Sequence, residues 1–186
     1  PIPARVFISS RSGKASTPIN IHAIIQETIT LLQNTTDRRI KIETDLKANQ
    51  CSIIGDPSQL QSAILNLGIN AAQAMLNGGT LHFSTRLVDI DNVICNLSPF
   101  DLDPGVFLEI EVTDTGCGIA AENMHRIFEP FFTTKEQGKG TGLGLAAVYG
   151  TVTQHGGSIT VYSEEDIGTS FQILLPLNNS EKASKS

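Results

Sequence analysis

The sequence predicts an α+β domain: a mixed, mainly antiparallel sheet with its helices on one face. Three observations carry this. Segments at about 21–35, 56–75 and 142–155 repeat apolar residues with the 3.6 period of a helix, while shorter segments alternate apolar and polar residues as half-buried strands do. The order is helix, strands, helix, strands, long loop, helix, hairpin, so strands and helices do not alternate as they would in a doubly wound parallel fold. With 186 residues, 40% of them hydrophobic, the chain is long enough to bury one core.

Taken in order, residues 1–18 (PIPARVFISSRSGKASTP) lack periodicity and read as a linker or the remnant of a preceding element. Asn20 is placed to cap a first helix over about 21–35, with Ile21, Ile24, Ile25, Thr28, Leu31 and Leu32 on one stripe. Two short strands follow, RIKIETDL and CSII. The second helix is the best defined: Asp56 at N-cap, Pro57 at N1 and Gln59 at N3 make a capping-box arrangement. Leu60, Ala63, Ile64, Leu67, Ala71, Ala74 and Met75 form its stripe, and Asn77-Gly78-Gly79 ends it.

TLHFSTRLVDI is then a strand, with Leu81, Phe83 and Thr85 opposite His82, Ser84 and Arg86. Residues 91–105 are an excursion, and VFLEIEVTD is the next strand. From Asp114 to about Gly140 the chain is irregular, with at most one short helix near 121–128; a loop of this length in a compact domain is functional or disordered. Leu145, Val148, Tyr149 and Val152 place a third helix at about 142–155, ended by Gly156-Gly157. SITVYS and TSFQILLP pair across a tight turn at about 165–168, and 178–186 is a polar tail.

A formal charge of −6 argues against nucleic acid as a partner. No apolar run approaches the length of a membrane span. Three cysteines (Cys51, Cys95, Cys117), with no paired spacing, point away from a disulfide framework or zinc site and towards a reducing, cytoplasmic setting.

Four features bear on chemistry. Asn66 and Asn70 lie one turn apart on the capped helix, at the margin of its core face; their amide oxygens suit a hard cation such as Mg²⁺, although two surface asparagines would read the same way. Asp114 ends a strand and enters DTGCGI. Its carboxylate would accept from an amino group such as adenine N6, with Gly116 and Gly118 admitting a flat ring; an Asx-turn is the other reading. GKGTGLGLA (138–146) is not a Walker A loop, and it runs straight into a helix with Thr141 placed to cap it, so its N–H groups at 140–144 would face phosphates. FEPFFTTK (128–135) is a hydrophobic staple, a lid, or both, with Lys135, Lys139 or Arg126 as cations for phosphate.

Together and in this order, these segments resemble the ATP-binding catalytic domain of bacterial sensor histidine kinases, the Bergerat fold shared with gyrase-type ATPases. DPSQLQSAILNLGINAAQAM resembles the N box, DTGCGI the G1 box, FEPFFTTK the F box, GKGTGLGLA the G2 box and GTSFQILLP the G3 element. The resemblance covers residues 20–177, within a domain of 19–177. It implies a two-layer α/β sandwich with a long ATP lid at 118–141, and ATP and Mg²⁺ as cofactors.

Carried over by position, the resemblance makes Asn70 the main Mg²⁺ ligand, assisted by Asn66. Asp114 meets the adenine amino group and Thr169 reaches the base through water, with Gly116 and Gly118 shaping the pocket. Gly140, Thr141, Gly142, Leu143 and Gly144 belong to the phosphate loop, and Lys135 neutralises phosphate. Many relatives carry a basic residue where this chain has Gln73, which places more of that neutralisation on Lys135. The gyrase-like members carry a water-activating glutamate where this chain has Asn66. A neutral amide is no general base, which favours transfer over hydrolysis.

The implied partners are a histidine-containing dimerisation domain upstream and, indirectly, a response-regulator receiver domain. The full protein is expected to be a homodimer and this segment a monomer. His22, His82, His125 and His155 each lack the context of the acceptor histidine; His155 is expected at a helix C-terminus, as a cation facing the dipole.

Overall fold

Local caps fix the ends of the helices, and strand alternation fixes which side of the sheet they cover. A computed structural model describes residues 17–91, 102–134 and 140–177. In chain order the elements are β1 (Thr17–Asn20), α1 (Ile21–Thr35), β2 (Ile40–Leu46), β3 (Ser52–Gly55), α2 (Pro57–Ala74), β4 (Gly79–Ile90), β5 (Gly105–Asp114), α3 (Gly144–Gln154), β6 (Ser158–Glu164) and β7 (Gly168–Pro176). The stretches 1–16, 92–101, 135–139 and 178–186 lie outside the described residues, and with them most of the expected linker, most of the excursion and the tail.

A five-stranded sheet runs β2-β4-β5-β7-β6, with β2–β4 parallel and the other three pairs antiparallel. It is the mixed, mainly antiparallel sheet that the element order predicts. β1 and β3 form a separate antiparallel pair, with Thr17 opposite Gly55. β1 was not expected; it begins inside the stretch read as a linker, and four residues paired with a partner more than thirty positions away leave no local pattern.

Register decides what faces the helices. One row runs Thr44, Phe83, Val112, Phe171, Val161; the next runs Ile42, Leu81, Asp114, Thr169, Ser163. Phe83, Leu81, Ile110 and Ile173 are fully buried, and they join Ile25, Leu32, Ile64, Leu67 and Val148 from the helices in one core. Burying side chains of this size stabilises the fold by about 1.5–3 kcal/mol each. The opposite face carries His82, Ser84, Arg86, Glu111 and Thr113, the polar half of the alternation. Asp114, Thr169 and Ser163 are therefore polar residues at the end of an apolar face.

Helix ends follow their caps. Asn20 accepts from the Ala23 N–H at 3.2 Å, and Asp56 accepts from Ser58 and Gln59 at 2.9 and 3.2 Å. The reciprocal half of the expected capping box is replaced: the Asp56 N–H donates to His155 Nε2 at 3.1 Å. Leu31, assigned to the buried stripe of α1, is 44% exposed; it lies at the edge of that stripe, beside Leu65 and Ile69 of α2.

The long loop stays within the expectation of at most one short helix, and the helix after it starts later than expected. Residues 120–132 form successive i→i+3 turns, such as Arg126 N–H to Asn123 and Glu129 N–H to Arg126, rather than a helix. The third helix begins at Gly144, two residues late, with Leu143 at N-cap and no side-chain cap. Gly142 takes φ +67°, which breaks helical continuity, and the Thr141 hydroxyl accepts from the Leu143 N–H at 3.4 Å, not from the first turn of α3.

Candidate nucleotide site

The site is assembled from three elements that the sheet and its packing bring together. α2 supplies Asn66 and Asn70, both half-buried on the side that faces the start of α3. A Cβ on Gly144 would stand 3.9 Å from Asn66 Cγ and 3.9 Å from Asn70 Nδ2. The first turn of α3, uncapped by any side chain, therefore opens directly onto the asparagine pair. Unsatisfied N–H groups and the positive end of the helix dipole at that point favour an anion.

β5 supplies Asp114, 6% exposed. Its Oδ1 accepts from the Gly116 N–H at 2.8 Å, so the Asx-turn reading also holds and one oxygen is partly committed. Burial pushes the Asp114 carboxyl up from its ordinary range, while the backbone N–H groups of Gly116 and Thr169 pull it back down. Beside it, Ser163 accepts from the Ile119 N–H at 2.8 Å and donates to the Gly168 carbonyl at 3.0 Å. With the Ser163 hydrogen spent there, the 2.8 Å bond to Thr169 makes Thr169 the donor and leaves its oxygen free to accept. Sequence reading did not single out Ser163; the register Ser163↔Thr169 across the final hairpin is the signal that finds it.

The glycines of DTGCGI are also required by the chain's own packing. A Cβ on Gly116 would meet the Ala74 Cβ at 2.7 Å and its carbonyl oxygen at 2.8 Å, and one on Gly118, at φ +72°, would run into the Glu164 carbonyl. Their close approach is to the chain's own backbone. Gly116 seats the loop on the last turn of α2, and Cys117 donates to the Ala74 carbonyl at 3.1 Å. Gly118 seats the loop on the β6–β7 turn. The pocket edge is thus held from both sides.

The aromatic segment divides. Phe128 packs on Tyr149 and Phe171 at ring separations of 5.6 and 6.5 Å, and Phe132 receives the Arg126 guanidinium at 4.4 Å. Arg126 also pairs with Glu129 at 3.2 Å, both side chains about half exposed. Phe131 is 76% exposed with φ +66°, and its N–H donates to the Gly142 carbonyl at 2.9 Å. A Cβ on Gly142 would run into the Phe131 backbone. Lys135 and Lys139 lie outside the described residues; Gly140 and Thr141 follow that gap and lead into Gly142.

Two of the histidines, His22 and His155, are engaged in hydrogen bonds within the fold. His22 Nε2 lies 2.8 Å from the Thr85 hydroxyl, and burial lowers its pKa. His155 Nδ1 lies 2.7 Å from the Thr151 carbonyl while Nε2 accepts from the Asp56 N–H, the pair of bonds that the Nδ1–H tautomer makes. No described helix is long and apolar enough to cross a membrane.

Residues 55–179 match the family described as histidine kinase-, DNA gyrase B-, and HSP90-like ATPase. Over 152 residues the chain is 41% identical to the sensor kinase CckA of Brucella abortus, covering 82% of this chain and 16% of CckA. The fold is similar to that of the mycobacterial sensor histidine kinase MprB (TM-score 0.68, 30% identity, 88% of this chain and 98% of that one). It is also similar to full-length ShkA in complex with AMPPNP (TM-score 0.68, 25% identity, 90% of this chain and 32% of that one). The chain spans about a third or less of the length of the curated relatives it matches. The run from the end of β3 through α2, the Asp114 turn, α3 and the final hairpin is the segment they share, and the chain belongs to the histidine kinase-, DNA gyrase B- and HSP90-like ATPase family.

Proposed function

We propose that this chain is the ATP-binding catalytic unit of a sensor histidine kinase, and that it presents the γ-phosphate of ATP to a histidine on a separate dimerisation domain. The observation that supports the proposal is the first residue of α3, Gly144, lying against the Asn66–Asn70 pair with no side-chain cap on that helix, and a buried carboxylate, Asp114, at the end of β5. Asp114 accepts from the adenine amino group, where guanine would present a carbonyl to the carboxylate. Thr169 accepts through water. Gly140 to Gly144 give backbone N–H groups to the phosphates, and Lys135 adds charge.

The chemistry of the donor set fits magnesium. Among the described residues no group of three or more His, Cys, Asp or Glu side chains is placed to hold a metal. Asn70, with Asn66, offers neutral amide oxygens, which suit a Mg²⁺ ion that completes its shell with water and phosphate oxygens. Bound there, the ion would neutralise charge on the phosphates.

The chain's own part in transfer is positioning and charge stabilisation. The acceptor imidazole nitrogen forms the new P–N bond as the bond from the γ-phosphorus to the ADP oxygen breaks. Asn66, a neutral amide, cannot take a proton from water near pH 7, so hydrolysis is disfavoured. The partners are then the acceptor domain and, after it, a response-regulator receiver domain, in the cytoplasm; the full protein is a homodimer.

Incubating the chain with γ-labelled ATP, Mg²⁺ and a histidine-bearing dimerisation domain tests this. The expected label is acid-labile and alkali-stable, and Asn70→Asp abolishes it. Steady phosphate release by the chain alone, abolished by Asp114→Asn, would make it an ATPase; an acid-stable label would make it a hydroxyl kinase.

A further inference from the structure

We propose that His155 is a positioning residue for the nucleotide site: it fixes the axial register of α3 against α2, and so the spacing between the phosphate-facing turn and the asparagine pair. The inference rests on the nucleotide reading above and adds to it a residue outside the site itself.

Both ring nitrogens of His155 are spent on backbone. Nδ1 reaches the Thr151 carbonyl one turn back along α3, at 2.7 Å, and Nε2 takes the Asp56 N–H at the head of α2, at 3.1 Å. A peptide N–H can only donate, so Nε2 accepts, and a single tautomer satisfies both bonds. The site is shaped for the ring: a Cβ on Gly55, the last residue of β3, would run into His155 Cδ2 and Nε2. The Asp56 N–H is the group that a capping box would give to Gln59, only three residues away. Here it goes to a side chain ninety-nine positions distant.

The two helices are antiparallel, because the end of α3 meets the start of α2 while Gly144, the first residue of α3, meets Asn66 and Asn70. Asp56 lies about 15 Å along the axis from Asn66. One end of the pair is therefore bonded and the other holds Gly144 beside the asparagines. Between them α3 contributes Val148 and Val152 to the core, and a Cβ on Gly150 would meet nothing within 4 Å. Apolar contacts are non-directional and tolerate axial sliding; a hydrogen bond between fixed groups does not. The His155 bridge is thus a directional contact that helps set how far Gly144 stands from the asparagines, beside the Phe131 N–H bond to the Gly142 carbonyl at 2.9 Å.

Two measurements test this. In the ¹⁵N-labelled free protein, long-range ¹H–¹⁵N spectra should show His155 with a protonated Nδ1 and a bare Nε2; a protonated Nε2 overturns the bridge. Titration calorimetry in Mg²⁺ with ATP, ADP and adenosine is then run on wild type, His155→Phe and His155→Gln, below the melting temperature of each. His155→Phe should weaken ATP about tenfold, the equivalent of one lost hydrogen bond, and leave adenosine within about twofold of wild type. His155→Gln, whose amide oxygen can accept the Asp56 N–H, should restore most of the ATP affinity. An equal loss for all three ligands, or undiminished ATP binding by the Phe variant, overturns the positioning role. Wild-type protein that binds none of the three overturns the nucleotide reading and the positioning role with it, while the tautomer independently decides whether the bridge exists.

Discussion

Replacing Asp114 with Asn should separate adenine recognition from folding. Asp114 is almost fully buried, and its Oδ1 already holds the Gly116 N–H at 2.8 Å. An Asn side chain would keep that bond with its own oxygen and turn its NH₂ group to the place where the second carboxylate oxygen accepted. The adenine amino group would then face a donor. Losing a hydrogen bond to a charged acceptor costs about 1.5–3 kcal/mol, which is about 10- to 100-fold in affinity. Stability should change little. The Asp114 carboxyl is raised above its ordinary range by burial, so ionising it costs the fold; that cost is absent at low pH and appears as pH rises through the folded value. Asn removes it, but the Gly116 and Thr169 N–H groups lose a charged acceptor, so the gain is offset and the nucleotide-free variant should melt close to wild type at neutral pH. Calorimetric titration with ATP and GTP, beside a melting curve, reads both effects. The variant should lose ATP affinity and discriminate less against GTP, because its NH₂ group can donate to the guanine carbonyl. ATP affinity within twofold of wild type, or equal losses for both nucleotides, would refute the assignment.

Thr28 sits fully buried in α1 with a hydroxyl that has no hydrogen-bond partner among the described residues; Thr28→Val should stabilise the fold by about 1 kcal/mol, seen as a rise of about 2–4 °C in Tm, and a lower Tm would show that the hydroxyl is satisfied. His22 has a folded pKa below its free value because burial disfavours its charge, so its contribution is present above the unfolded value near 6.5 and is lost as pH falls below it. Urea denaturation at pH 7 and pH 5 should show a smaller loss on acidification for His22→Gln than for wild type, and identical losses would remove His22 as the cause. Gly118→Ala places a side chain at φ +72° against the Glu164 carbonyl, and should cost about 2–4 kcal/mol; a Tm unchanged from wild type would mean that the turn relaxes without strain.

The sequence revealed what short-range chemistry determines. Asp56-Pro57 placed the start of α2 to the residue, because cap and N1 preferences are local. The stripe of Leu60, Ala63, Ile64, Leu67 and Ala71 named its buried face for the same reason. Errors came where a distant partner decides. β1 exists through its pairing with β3, and Leu31 is exposed because the stripe of α1 is narrower than its periodicity suggests. The Asp56 N–H goes to His155 and not to Gln59, and no window of the sequence contains both residues of that bond. The site residues were legible as types, with the reasons for their neighbours only partly so. Gly116 and Gly118 were read as shaping a pocket for a base, and the packing against α2 and the β6–β7 turn that also requires glycine there is long-range and left no mark in the sequence.

On the proposed reading, the chemistry of Asp114 and of the asparagine pair bears on where a phosphate could go. Asp114 lies where β5 pairs with β7, its Oδ1 fixed by the Gly116 N–H. The side of α2 facing Gly144 holds two amides, and an amide offers a lone pair to a cation without the basicity to deprotonate water. General-base catalysis needs a group within hydrogen-bond reach of the proton it removes, and neither Asn66 nor Asn70 can be that group. An acceptor imidazole brings its own lone pair and needs no base to expose it. On the proposed reading, two neutral amides favour a nucleophile supplied from outside over water, and Asn66 is the position at which the two outcomes would divide.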